Sequence, residues 1–348
     1  MTGRRIVVCE VQVPFVRGGA EALVRELARQ LRAREYLVER VSVPFKWYPK
    51  EEILAHAAAW RLLDLSASNG QPIDAVIATK FPSYFVRHPC KVTWLIHQYR
   101  AAYELCGTEY SDFTHTEGDV GLRSRLMSLD REMLGESRRL FTISRLTSAR
   151  LEKFNGIAAE PLYHPSRLAT RLHSGPSGDY VLSVGRIESI KRADLAIRAM
   201  RHVDPRLRLI VVGEGTQLES ARRLVAEEDV GGRVQFAGAV SDEELVELYA
   251  GALAVVYVPY EEDYGYVTLE SFLAQKPVVT ARDSGGPLEF VDDGGNGLVC
   301  DPQPAALAEA INRLSADRPL AVSFGRAGYE RARTVTWDGV IEKLLGHL

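Results

Sequence analysis

The stretch YVLSVGRIESIKRADLAIRAM, Tyr180 to Met200, decides the fold. It opens with a short apolar run that fits a buried strand, and Gly185 ends that run. Ala193, Ala196, Ile197 and Met200 then recur at helical spacing. Strand, tight turn and helix in succession make one βα unit, the building block of a parallel sheet. Outward from it the pattern repeats. In the second half, Leu207–Val212, Val234–Ala237, Ala254–Val258, Pro277–Thr280 and Gly297–Val299 read as further strands. In the first half the candidates are Arg5–Val13, Leu37–Val43, Ile73–Thr79, Val92–His97 and Arg139–Ile143, with helices over Ala20–Arg34 and Lys50–Ser68. Both halves are therefore expected to be doubly wound α/β sheets. The segment from Pro161 to Tyr180, with three prolines and no sustained apolar period, reads as the linker between them.

Composition agrees with two soluble domains. The chain has 348 residues against a soft prior of about 150 per domain. Hydrophobic residues make up 46% and charged residues 26%, which excludes disordered, collagen-like and disulfide-dense classes. The longest apolar runs, Leu207–Gly213 and Leu253–Pro259, fall far short of the ~20 residues that cross a bilayer. The start, MTGRRIVVCEVQV, goes straight into a strand pattern, so export is not expected and the cytoplasm is the expected compartment. Cys9, Cys90, Cys106 and Cys300 are widely spaced without a CxxC pair, which argues against a zinc site or disulfide scaffold. The net charge of −3 conceals an asymmetry: residues 1–175 hold 25 basic and 19 acidic side chains, and residues 176–348 hold 18 and 27. A basic first half suits an anionic acceptor, a membrane surface or nucleic acid, and equally describes solvated helix faces.

Three motifs stand where strands end, which is where open α/β sheets bind ligands. FVRGGAE, Phe15 to Glu21, puts paired glycines at a helix start, where backbone N–H groups can approach a phosphate; it is also an ordinary turn. It has neither the G-x-G-x-x-G spacing of a dinucleotide site nor the G-K-[ST] ending of a P-loop. In VGRIESIK, Arg186 and Lys191 lie between a strand and a helix, where two cations can neutralise a diphosphate or simply decorate the surface. In YEEDYGYVTLESF, Glu262 and Glu270 stand eight residues apart about Gly265, with the helix expected to begin near Tyr264. Carboxylates so spaced can accept hydrogen bonds from different hydroxyls of one ligand, a ribose and a hexose among them; a solvated acidic helix start is the plainer reading.

In its order of motifs the chain resembles the retaining glycosyltransferases of family 4, which have the two-domain GT-B fold. The resemblance runs through GGAE at Gly18–Glu21, ISRLTSARL at Ile143–Leu151, VGRIESIKR at Val184–Arg192 and VVGEG at Val211–Gly215. It continues through FAGAVSDEELVELYAGA at Phe236–Ala252, the E-x7-E element from Glu262 to Glu270, and SGGPLEFVDDGGNGLV at Ser284–Val299. It implies an acceptor-side domain over 1–168, a nucleotide-sugar domain over 169–334, and a terminal helix over 335–348 returning to the first domain. Arg186 and Lys191 would bind the donor diphosphate, and Glu270 the ribose hydroxyls. Glu262, with backbone groups of Gly265, Tyr266 and Val267, would hold the transferred sugar and diphosphate. Gly18 and Gly19 would meet the phosphate from the other domain, the backbone near Val240 the base, and His97 the donor sugar. Where family members carry an acidic residue shortly after this histidine, the chain reads HQYRAAYE, so acceptor contacts do not carry over. Glu261 competes with Glu262, and only Glu262 keeps the spacing to Gly265 and Glu270.

The implied activity is retaining transfer of a hexose from a nucleoside diphosphate sugar to a hydroxyl acceptor, with Arg186, Lys191, Glu262 and His97 as the catalytic set. No D-x-D stands between a strand and a loop, so neither a metal nor any other cofactor is expected. Nucleic acid is not an expected partner. Four arginines, Arg123, Arg125, Arg131 and Arg138, add weak peripheral contact with the inner face of a membrane as a further expectation. A sugar-nucleotide epimerase or phosphorylase on the same frame, and a non-catalytic nucleotide-sugar-binding protein, are the alternatives.

Overall fold

The computed structural model describes residues 3–16, 18–346 and 348; Arg17 of the FVRGGAE motif lies outside the described residues. The chain divides into two compact units, Met1–His164 with Trp337–Leu348, and Pro165–Thr336.

In the first unit the order is β1 (Arg5–Gln12), α1 (Gly19–Arg32), β2 (Leu37–Pro44), α2 (Glu52–Leu62), β3 (Ala67–Ser68), β4 (Gln71–Pro72), β5 (Ala75–Ala78), β6 (Lys91–Leu95), α3 (Glu117–Gly135), β7 (Arg139–Thr142), α4 (Arg145–Asn155) and β8 (Glu160–Pro161). Six strands form a parallel sheet in the order β2-β1-β5-β6-β7-β8. The central strands β5 and β6 are buried along their whole length, as expected where helices cover both faces of a parallel sheet. In α1 the residues Leu23, Val24, Leu27, Ala28 and Leu31 form the buried stripe, because they recur every three to four positions.

The second unit runs β9 (Tyr180–Val184), α5 (Ala193–Ala199), β10 (Arg208–Val212), α6 (Leu218–Glu227), β11 (Val234–Gly238), α7 (Asp242–Gly251), β12 (Ala254–Val256), α8 (Tyr266–Leu273), β13 (Val278–Ala281), β14 (Gly297–Cys300), α9 (Pro304–Ala316) and α10 (Arg318–Ala332). Its sheet is also parallel, in the order β11-β10-β9-β12-β13-β14. The last helix, α11 (Trp337–Leu345), packs in the first unit. There Trp337 meets Trp94 edge to face at 6.2 Å, and Lys343 bonds Glu160 at 2.7 Å. Both units have the α/β architecture expected from the alternating pattern.

Three elements differ from expectation. The helix expected to reach Ser68 ends at Leu62, because the Asn69-Gly70 pair, with φ of 49° and 73°, forms the tight turn of the β3–β4 hairpin. Both turn residues need positive φ, which Asn and Gly tolerate best. Strand β8 ends on Pro161, the first residue of the segment expected to be pure linker; two residues leave no period to detect. Helix α8 begins at Tyr266 rather than near Tyr264, since Gly265 adopts φ 86° and is not yet helical.

Candidate functional site

A doubly wound sheet opens a crevice at the carboxyl ends of the two strands where the strand order reverses. In the second unit this point lies between β9 and β12. The loop after β9 carries Gly185 and Arg186, and it is locked to the loop after β10. Ile187 donates its N–H to the Glu214 carbonyl at 2.9 Å, and Gln217 donates to the Ile187 carbonyl at 2.9 Å. The approach is so close that a Cβ on Gly213 would stand 2.0 Å from the Gly185 carbonyl oxygen, so only glycine fits. Arg186 is exposed, and among the described residues no carboxylate pairs with it.

Lys191 ends a short 3-10 turn, and its ammonium reaches the Glu262 carboxylate; each of these side chains is 19% exposed. The cation and carboxylate that the sequence directs at different parts of a ligand thus neutralise each other. The pKa of the Tyr257 phenol is raised well above its usual value, first by burial and then by the Glu262 charge. The backbone of Glu262 is pinned to the loop after β13: its N–H donates to the Ser284 carbonyl at 3.0 Å, and Gly286 donates to the Glu262 carbonyl at 2.6 Å. Arg192 fastens this corner. Its guanidinium makes a two-pronged bond to Asp283 at 2.6 and 2.8 Å and reaches the carbonyls of Val258 and Pro259 at 2.7 and 2.9 Å.

Beyond Gly265, Tyr266 and Val267 form the first turn of α8, where N–H groups lack intrahelical acceptors and carry the positive end of the helix dipole. Glu270 follows one turn later and is 8% exposed. One carboxylate oxygen accepts from Ser166 at 2.5 Å and the other from Tyr249 at 2.8 Å. Burial pushes the Glu270 pKa above the usual carboxylate range, and these two hydroxyl donors oppose it. The charges of both Glu262 and Glu270 add to the rise in the Tyr257 phenol pKa. Half-buried Val240 follows β11 and precedes Ser241, which caps α7 by accepting the Glu244 N–H at 3.1 Å. Arg186, Lys191, Val240, Glu262, Gly265, Tyr266, Val267 and Glu270 therefore all lie on or just beyond loops leaving the carboxyl end of one sheet.

Gly18, Gly19 and His97 belong to the first unit, whose strand order reverses between β1 and β5. Here the helix start of α1 is filled by the chain itself. The Gly18 N–H donates to the Glu21 carboxylate at 2.8 Å, and Lys80 binds the same carboxylate at 2.6 Å. Burial opposes the Glu21 charge, yet Lys80 and the helix-start N–H hold its pKa below the usual value. His97 follows β6, and its Nδ1 lies 2.6 Å from the Gln98 carbonyl oxygen. A carbonyl only accepts, so Nδ1 carries the proton and a neutral ring has its lone pair on Nε2.

Ser166, Tyr249, Tyr257, Arg192 and Lys80 were not singled out from the sequence. Glu21, three residues after Gly18, is a capping-box position and could have drawn attention to Lys80's partner. The other contacts join residues 21 to 104 positions apart or lie beside motif residues without a distinguishing pattern.

Residues 172–331 match the family described as glycosyl transferases group 1. D-inositol 3-phosphate glycosyltransferase of Acidothermus cellulolyticus is 28% identical over 94% of this chain and 80% of its own length. Other curated relatives are 31–32% identical over segments spanning 40–49% of their own lengths. Among solved structures, sucrose-phosphate synthase from Thermosynechococcus elongatus superposes with a TM-score of 0.76 at 20% identity, covering 97% of this chain and 96% of that one. Anabaena Alr3699/HepE, solved with UDP and glucose, gives a TM-score of 0.72 at 17% identity over 99% of this chain and 100% of that one. The second unit is accordingly a group 1 glycosyl transferase domain, in a chain with the GT-B fold.

Proposed function

We propose that this glycosyltransferase moves a hexose from a nucleoside diphosphate sugar to a hydroxyl acceptor with retention of the anomeric configuration. The observation that carries the reading is the grouping at the β9–β12 switch point: Arg186, with no carboxylate partner among the described residues, the Lys191–Glu262 pair, the start of α8 and the buried Glu270. A diphosphate needs cations and helix-start N–H groups, and a sugar and a ribose need carboxylate acceptors. In this account the bond from the anomeric carbon to the diphosphate oxygen breaks with its electron pair going to the diphosphate. The acceptor oxygen bonds to the same face, and its proton passes to a departing diphosphate oxygen. Arg186 and Lys191 meet the charge that develops there, the type of stabilisation worth several kcal/mol, without a metal ion.

The acceptor is supported by the relative named for D-inositol 3-phosphate, so a phosphorylated polyol is the first candidate. Contact with an anionic membrane has less behind it. Arg123 and Arg131 each donate from Nε to a backbone carbonyl, of Ala102 and Asn155, and of the four only Arg125, Arg131 and Arg138 are exposed. No described helix is long and apolar enough to cross a membrane, and a cytoplasmic place is part of the proposal. The experiment is a matrix of UDP-, GDP- and ADP-sugars against inositol 3-phosphate, other polyols and anionic liposomes, with and without EDTA. Glycoside formation insensitive to EDTA is the expected outcome; nucleotide release without any glycoside, or a requirement for a divalent ion, counts against it.

A further inference from the structure

The carboxylate of Glu270 is held at both oxygens before any ligand enters the account. Ser166 reaches one oxygen and Tyr249 the other, and these donors come from separate parts of the chain, the segment that opens the second unit and α7. Each carboxylate oxygen offers about two acceptor positions. One on each is occupied, which leaves one on each, the number that a vicinal diol needs. The two donors are themselves fixed. Ser166 is buried and its Oγ accepts the Leu168 N–H at 3.1 Å, while Tyr249 is fully buried. The segment that carries Ser166 is also laced to the helix that carries Tyr249, through Arg167 to Asp242 at 2.6 Å and Arg171 to Glu243 at 2.6 Å. Both hydroxyls thus stand on one braced assembly. A free glutamate side chain would sample several rotamers, and holding it in place removes that entropy cost from ligand binding.

We propose that Ser166 and Tyr249 are positioning residues for Glu270, fixing its carboxylate so that its two remaining acceptor positions receive the vicinal hydroxyls of the donor ribose. This rests on the reading of Glu270 as the ribose ligand, and the test separates the two. Titration calorimetry measures the affinity of UDP, GDP and ADP, and of the 2′,3′-dideoxy form of whichever binds most tightly, for the full chain and for Glu270→Gln, Tyr249→Phe and Ser166→Ala. The full chain is expected to prefer the ribose form. Tyr249→Phe and Ser166→Ala are each expected to cut that preference about tenfold, the scale of one lost hydrogen bond to a charged group, while binding the dideoxy form within about twofold of the parent. A merely structural role would weaken both nucleotides equally and leave the preference unchanged, which overturns the inference. If Glu270→Gln abolishes the preference and the two hydroxyl variants keep it, the positioning role alone fails. If Glu270→Gln keeps it, the ribose reading fails first. Ser166→Ala removes a single small hydroxyl and serves should Tyr249→Phe fold poorly.

Discussion

The two sheets end differently where they could bind. In the first unit β1 lies between β2 and β5, and the helix that follows it starts on its own anion, Glu21, balanced by Lys80. In the second unit β9 lies between β10 and β12, and among the described residues the helix start at Gly265 holds no such capping side chain and Arg186 has no carboxylate partner. A helix start beside the switch point is therefore closed by a carboxylate in the first unit, at α1 after β1, and carries no such cap in the second, at α8 after β12. A multiply charged diphosphate is attracted to the second unit's start, because Arg186 there has no carboxylate partner among the described residues and a diphosphate can compete with Glu262 for Lys191, whereas in the first unit Glu21 holds both the Gly18 N–H and the Lys80 ammonium.

Substitutions on either side test that contrast. The largest effect is expected at Lys191→Ala, which removes a diphosphate cation and strands a partly buried Glu262. Turnover per unit affinity should fall about 10³-fold, with a stability loss of about 1–3 kcal/mol from the orphaned carboxylate. Steady-state kinetics and thermal melting check the two parts. An unchanged rate would close the second site too. Glu262→Ala is expected to lower kcat about 100-fold while nucleoside diphosphate affinity stays within about threefold, because its partner in the account is the sugar. A defect confined to nucleotide binding would move Glu262 to the diphosphate.

In the first unit, fully buried Asp130 accepts from Tyr103 at 2.6 Å, and burial raises its pKa from 3.8 to about 7. Between these values the folded chain keeps a proton that the unfolded chain has released. Stability from this group is therefore complete below about pH 4 and is lost as pH rises through about 7. Asp130→Asn lacks that slope. The stability difference between variant and parent should change in the variant's favour by about 2–4 kcal/mol from pH 4.5 to pH 8 in denaturant melts. A pH-independent difference would mean that the carboxyl does not titrate there. The smallest effect is expected for Glu21→Ala, which leaves Lys80 unpaired and the helix start uncapped. A loss of about 1–2 kcal/mol with unaltered nucleoside diphosphate affinity is predicted. Should that affinity change as much as in Arg186→Ala, the contrast between the two helix starts breaks.

What the sequence made legible was local. Runs such as Tyr180–Val184 and the helical spacing after Lys191 are decided by neighbours in the chain, and so are the Lys191 and Glu262 motifs, each carried within about ten residues. The Asn69-Gly70 turn was equally local and was overridden by the helical pattern before it. What stayed hidden depends on folding. Ser166 and Glu270 are 104 positions apart, Lys80 and Glu21 are 59 apart, and nothing in either neighbourhood marks the other. Charge counts carry no partners either: of the four arginines read as one basic region, Arg123, Arg125 and Arg131 lie on α3 and Arg138 beyond it, and Arg123 and Arg131 each donate to a backbone carbonyl. Strand order, which decides where each crevice opens, is a pairing property and has no trace in any single strand.

The central claim is that the open end of the second sheet transfers a sugar with its configuration kept. Proton NMR of the fresh reaction mixture reads the anomeric coupling of the new glycoside before mutarotation or hydrolysis can blur it. The account predicts the anomeric configuration of the donor in the product, formed by the parent chain and reduced about 100-fold in Glu262→Ala. An inverted product, or full activity in Glu262→Ala, would contradict it.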